Sequence, residues 1–330
     1  MRLVEVIRRR GRLCLWALLL LCTAAPAWAQ ETFGPTRLGM PVNVSNATND
    51  IDVLYKFIYW LTTIVFVVFF VTMIVFLVRY RHRPGRRAAF VHGHNRLEIV
   101  WTLVPTIIMV LIAVFSQSIW AKHKYINQMP VGQNVVEVKV VARQFQWFFH
   151  YPGEDGKFGR TDVLWRQNTG DPAEEIGLMR GYIEDFLEED MFDQISENSG
   201  RAHLLEADDA ADDDIVTPVL TVPINRKVHV QITSKDVLHS FFLPYFRVKQ
   251  DAVPGLIGHF WFESNYLSAD IMGVYANGAP KPFDIICAEL CGAQHYMMRG
   301  QLFVVTEQAF EKWLREQAPE VEEEEQYEDE

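Results

Sequence analysis

The chain has 330 residues, 49% of them hydrophobic, and 42 acidic against 31 basic residues give it a formal charge of −11. That balance argues against a nucleic-acid partner and leaves basic partners or plain solvation as the use of the acids. The apolar residues are concentrated rather than spread, which argues against an ordinary soluble protein and for a membrane anchor carrying a water-facing part.

The first residues, MRLVEVIRRRGR, are basic and run into an apolar stretch over residues 13–25, followed by Ala27-Trp28-Ala29. Basic, apolar and small-x-small segments in that order predict a secretory signal peptide at 1–29, cut after Ala29; a short anchor that is retained is the alternative. The bulky Leu21 disfavours lipid attachment at Cys22. Residues 30–121 then form an N-terminal segment and a membrane hairpin, with predicted spans at about 55–79 and 98–120, because runs of about 20 apolar residues cross a bilayer as helices. Pro105 should kink the second span without forbidding it. The loop between them, RYRHRPGRR at residues 79–87, is dense in arginine and marks the cytoplasmic side. Both mature termini and the outer domain then lie on the periplasmic side of a bacterial inner membrane.

From residue 122 to 316 the texture changes to short β-branched and aromatic runs such as EVKVV, VHVQI and GHFWFES, punctuated by Pro and Gly. Alternation of this kind predicts an antiparallel β-sandwich, so the fold class is a membrane-anchored all-β protein: a two-helix hairpin followed by a sandwich. An acidic insertion at about 153–216 interrupts the strands. Residues 177–195 inside it have helical spacing and an acidic face, and the whole piece reads as a surface addition rather than a second core. The tail, 317–330, is acidic enough to be a solvated end.

Of four cysteines, Cys14 and Cys22 fall in the signal, so the mature chain keeps Cys287 and Cys291. In an oxidising compartment such a pair ordinarily becomes a disulfide. A disulfide, however, leaves His295, Met298 and the upstream His239 unassigned, whereas thiolate, imidazole and thioether together are soft ligands suited to copper. Zinc sites usually have other cysteine spacings and no methionine. A single blue copper centre needs one cysteine, so the second points to two ions bridged by both thiolates. Each ion would then take one histidine and one weak ligand, Met298 for one and the Glu289 carbonyl for the other. Copper and disulfide both stand at this point.

The loop Cys287, Glu289, Cys291, Gly292, His295, Met298 closely resembles that of subunit II of the haem-copper cytochrome c oxidases. Asp236-Val237-Leu238-His239-Ser240, Asp251-Ala252-Val253-Pro254-Gly255 and the hairpin motif from His94 through Glu98 and Trp101 to Pro105 resemble it as well. The resemblance leaves out the acidic insertion, a smaller one at about 265–282, and the tail. It implies a cupredoxin-like CuA domain at 122–316 and an aa3-type or related oxidase. Cytochrome c would deliver electrons to a binuclear copper, which passes them to haem in subunit I, where oxygen becomes water. It further implies that the Glu289 carboxylate faces a magnesium shared with subunit I, and that Glu98 stands at the mouth of a proton channel. An acid in the first turn of a helix also has a plain dipole role.

The family's strand near the copper usually begins Gln-Trp-x-Trp, the first Trp being where electrons enter. Here Phe145 stands in its place and Trp147 remains, as the electron-entry region or as packed core; Lys235 stands where an acid is common. Alternatives are a membrane-anchored copper-binding or copper-delivery protein and a variant oxidase subunit with a different donor. A quinol oxidase subunit lacks the copper ligands present here, and nitrous oxide reductase is soluble and carries a large propeller. The histidines at 82, 92, 123, 150, 203, 229 and 259 read as surface or packed residues.

Overall fold

The computed structural model describes residues 40–87, 90, 92–132, 134–179 and 208–319. The predicted signal peptide, nearly all of the predicted acidic helix and all but the start of the tail lie outside the described residues.

Two long helices come first, α1 (Asn49–Arg79) and α2 (Asn95–Lys124), of 31 and 30 residues. At 1.5 Å per residue each is about 45 Å long, more than the roughly 30 Å of bilayer hydrocarbon, so each projects beyond the membrane. Large apolar side chains such as Phe69 and Phe115 are 73% and 68% exposed, a surface suited to lipid or to a neighbouring membrane subunit. Pro105 lies inside α2 without ending it.

Among the described residues, ten strands make two five-stranded sheets. One is ordered β3 (Ile215–Thr217), β2 (Gln146–Tyr151), β1 (Val135–Arg143), β5 (Lys227–Ser234), β8 (Gly258–Glu263). The other is ordered β4 (Val219–Pro223), β10 (Arg299–Val305), β9 (Phe283–Cys287), β6 (His239–Leu243), β7 (Val248–Ala252). The core between them follows from the period-2 pattern: Val136, Val138 and Val140 of β1, Val228, Val230 and Ile232 of β5, and Phe260 and Phe262 of β8 are buried in one cluster. Tyr151 ties the sheets together, its hydroxyl donating to the Thr221 carbonyl and accepting from the Thr221 amide, both at 2.9 Å.

Three features correct the sequence-based expectation. The sandwich is not purely antiparallel, because β1 runs parallel to β5 and β10 parallel to β4. Each of these pairs joins strands far apart in the chain, with strands of both sheets between them, and alternation within a strand carries no information about direction. Second, the insertion is more than a surface addition. Its short helix α3 (Pro172–Ile176) brings Ala173 and Ile176, with Leu178 and Ala211, onto Val141 and Phe148 of the outer sheet face, forming a small second core. Val141 and Phe148 are apolar residues pointing away from the main core, and they need cover. The insertion's last residues enter the edge strand β3. Third, residues 265–282 include a short helix, α4 (Ser268–Met272), and β10 is followed by a helix absent from the predicted elements, α5 (Glu307–Gln317). Its Trp313 packs edge-on to Tyr151, with ring centroids 5.2 Å apart.

The sandwich is fastened to the outer ends of the hairpin. Arg247 is held by Asp52 at 2.6 Å and Lys124 donates to the Lys249 carbonyl at 2.7 Å, while Lys122 binds Asp50 at 2.8 Å and ties the two helices to each other at the same end. His123, read from the sequence as a surface or packed residue, is buried and stacks on Trp261 with centroids 5.6 Å apart. These contacts set the position of β6 and β7, and hence of His239, relative to the membrane.

Candidate metal centre

His239 opens β6, Cys287 closes β9, and the loop after β9 carries Glu289, Cys291, His295 and Met298. Since β6 and β9 are paired through Phe241 opposite Cys287, the distant histidine is delivered to the loop by sheet register. The Cys287 and Cys291 sulfurs are 3.8 Å apart, both as free thiols. Around them the donors divide evenly. Cys287 Sγ has His239 Nδ1 at 3.9 Å and the Glu289 carbonyl oxygen at 3.2 Å. Cys291 Sγ has His295 Nδ1 at 3.5 Å and Met298 Sδ at 3.7 Å.

This donor set fits a metal pair. Two sulfurs 3.8 Å apart leave room for an ion about 2.3 Å from each, a usual metal–thiolate distance. Each sulfur has one imidazole nitrogen and one weak oxygen or thioether donor on its own side. Cys287, Cys291, His239 and Met298 are buried, while His295 is half-buried and the Glu289 side chain exposed. Burial, and after it the neighbouring Cys287, pushes the Cys291 thiol up to about 11, so a metal must displace its proton to bind.

The surrounding hydrogen bonds hold these donors in place. Asp236 Oδ1 lies 2.8 Å from His239 Nε2, which leaves Nδ1 directed at the sulfurs. Asp236 Oδ2 accepts from the Gln144 amide at 2.7 Å, and the Gln144 side chain donates to the Cys291 carbonyl at 2.5 Å. Burial alone would raise the Asp236 carboxyl, but hydrogen bonds from His239 and from the Gln144 and Val237 amides outweigh it and hold the carboxyl below the usual carboxylate value. The Ala288 amide donates to the Ser240 carbonyl and the Cys287 amide to the Met298 carbonyl, closing the loop on β6 and on itself. Gly292, at φ +136°, passes the Phe145 ring so closely that a Cβ there would lie 3.1 Å from it.

The remaining predicted residues fall apart from this cluster. Phe145 is half-buried at the β1–β2 turn, against the cysteine loop. Trp147 is fully buried, its ring 6.1 Å from His239 and 5.3 Å from Phe241. Glu98 lies in the exposed first turn of α2, which is capped by His94 Nδ1 accepting from the Leu97 amide at 3.2 Å. Gln144 and Asp236 had no role assigned from sequence. The placing of Asp236 three residues before His239 was the available signal, while nothing local marks Gln144.

Profiles for the cytochrome c oxidase subunit II transmembrane domain and periplasmic domain match residues 34–119 and 187–305. The chain belongs to the cytochrome c oxidase subunit II family. It is 32% identical over 267 residues to the alternative cytochrome c oxidase subunit 2 of Bradyrhizobium diazoefficiens, covering 81% of this chain and 80% of that one. It is also 32% identical over 306 residues to cytochrome c oxidase subunit 2 of Cereibacter sphaeroides, covering 90% and 88%. Among solved structures, the periplasmic domain of subunit II of cytochrome oxidase from Bradyrhizobium japonicum aligns with a TM-score of 0.33 at 23% identity, over 57% of this chain and 96% of that one. As a family member the chain is a membrane-anchored subunit of the haem-copper oxidase complex with a periplasmic β-domain, and electron transfer through CuA copper is typical of the family.

Proposed function

We propose that His239, Cys287, Cys291, His295, Met298 and the Glu289 carbonyl hold the binuclear copper through which this oxidase subunit takes electrons from a cytochrome c. The observation that carries the reading is the even division of donors, one imidazole nitrogen and one weak donor beside each of two facing sulfurs. When bound, the copper pair supplies a one-electron carrier that shares its charge over both ions and so changes shape little. The protein's part is rigidity and dryness. Asp236 and Gln144 fix the imidazole and the loop, while Trp147, Phe241 and the sandwich behind them keep water from rearranging around the site.

Phe145, at the surface against the loop, is the proposed point of electron entry, with Trp147 behind it as packing. The exposed Glu289 carboxylate is the proposed reach to a magnesium shared with subunit I, and Glu98 the proposed proton-uptake acid on the cytoplasmic side. The arginine-rich turn supports an inner-membrane topology with both mature termini periplasmic.

The test is the metal content and electron paramagnetic resonance of the purified membrane complex. Two coppers per copy of this chain beyond the copper of the partner subunits, with a mixed-valence signal lost in Cys291→Ser, are expected. One copper, or a signal that survives Cys291→Ser, would overturn the assignment.

A further inference from the structure

Glu175 belongs to the insertion, outside the matched motifs, yet it is a buried carboxylate reaching two cations on two other segments, one ending β1 and one just after β5. One oxygen pairs with the Arg143 guanidinium, the other with Lys235 Nζ at 2.5 Å. Only 2% of its side chain is exposed. Lys235 is held further by the Gln167 carbonyl at 3.1 Å and the Asn168 side chain at 2.9 Å, both also in the insertion. The Arg143 guanidinium lies 5.4 Å above the Phe148 ring, within the small second core.

The two cations are chain neighbours of the residues that hold the candidate copper donors. Arg143 leads directly into Gln144, which binds the Cys291 carbonyl and Asp236. Lys235 leads directly into Asp236, which binds His239. The two segments also meet at the backbone, where the Lys235 amide donates to the Ala142 carbonyl at 2.8 Å. One carboxylate thus clamps both segments together.

We infer that Glu175 is a positioning residue for the metal centre, through which the insertion holds Gln144 and Asp236, and so the Cys291 loop and His239, in one arrangement. This rests on the copper assignment above. A buried ion triad of this kind is a poor source of net stability, but removing one member leaves the others uncompensated, so the clamp has one favoured geometry and no cheap alternative. Neutralising it leaves two cations beside the centre, which favours the reduced, less positive state, and frees the segments that orient His239.

The experiment compares Glu175→Gln, Lys235→Met and Ile176→Ala with the parent in the purified oxidase complex, measuring copper content, the paramagnetic signal and midpoint potential of the centre, and amide hydrogen exchange at Gln144 and Val237. Glu175→Gln is expected to keep two coppers, change the hyperfine pattern, and shift the redox equilibrium with the donor about tenfold toward reduction, about 59 mV for a one-electron couple. Exchange at both amides should rise. Lys235→Met, which keeps the Glu175–Arg143 half of the clamp, should change the hyperfine pattern less and serves if Glu175→Gln does not assemble. Ile176→Ala thins the packing of the same helix without touching the ions and should leave signal and potential as in the parent. Parent signal, potential and exchange in both Glu175→Gln and Lys235→Met would overturn the inference, as would the same shift in Ile176→Ala. Failure of the copper assignment would show separately, as a parent complex without the two coppers.

Discussion

Arg247→Met tests whether the β-domain is held at a fixed position over the membrane hairpin. The guanidinium donates to Asp52 Oδ1 at 2.6 Å and Oδ2 at 3.3 Å, to the Pro41 carbonyl at 2.7 Å and to the Pro244 carbonyl at 2.7 Å. Its side chain is 5% exposed and that of Asp52 15%, so methionine fills the space but leaves a mostly buried carboxylate without its cation. Breaking a buried pair from one side costs about 3–5 kcal/mol. At about 1.4 kcal/mol per factor of ten, that is a rise of between a hundredfold and a few thousandfold in the population of opened joints. The readout is amide hydrogen exchange at Val44, whose N–H donates to the Tyr245 carbonyl at 3.1 Å across the same joint. Exchange there should accelerate on that scale, while amides in the middle of β1 and β5 stay protected, because opening the joint leaves the sandwich core intact. The double variant Asp52→Leu with Arg247→Met should recover much of the loss, since neither charge is then left alone. Unchanged exchange at Val44 in Arg247→Met would refute the reasoning, and so would equal acceleration throughout the sandwich.

Met298→Leu should keep both coppers and move the midpoint potential, because a weak thioether donor tunes a centre more than it holds it; loss of copper in that variant would contradict this. Glu98→Gln should slow oxygen consumption by the assembled oxidase while leaving reduction of the copper centre by cytochrome c at the parent rate, and normal turnover would leave Glu98 only its place in the first turn of α2. Docking of the insertion should be pH-dependent. Burial alone would raise the Glu175 carboxyl, but Lys235 and Arg143 outweigh it and hold the carboxyl below its ordinary value of 4.5. Its contribution is therefore complete above that value and lost as the pH falls through the lowered one, so exchange at Leu178 and Met179 should rise at acid pH. The same acid profile in Glu175→Gln would assign the effect to another group.

The membrane hairpin was legible in the sequence because crossing a bilayer imposes a local requirement, a long apolar run with basic residues left on one side. Five of the six candidate donor positions were legible for a similar reason: Cys287, Glu289, Cys291, His295 and Met298 lie within one loop, and ligand chemistry can be read from residue type and spacing. His239, 48 residues before Cys287, could be joined to that loop only by counting donor types and by resemblance, and the structure brings it there through the β6–β9 register. Strand direction was beyond reach, since an alternating strand reads the same whether its neighbour runs parallel or antiparallel, and β1 lies beside β5 only because the chain crosses between sheets. The surroundings of the centre depended most on tertiary structure. Gln144, Glu175 and Asp236 come from three separate segments, each unremarkable where it stands, and only folding brings Gln144 onto Asp236 and buries Glu175 against the cations beside them. A buried charge is stabilised by partners that the chain supplies from far away, so its role is set by where those partners arrive and not by the residues beside it.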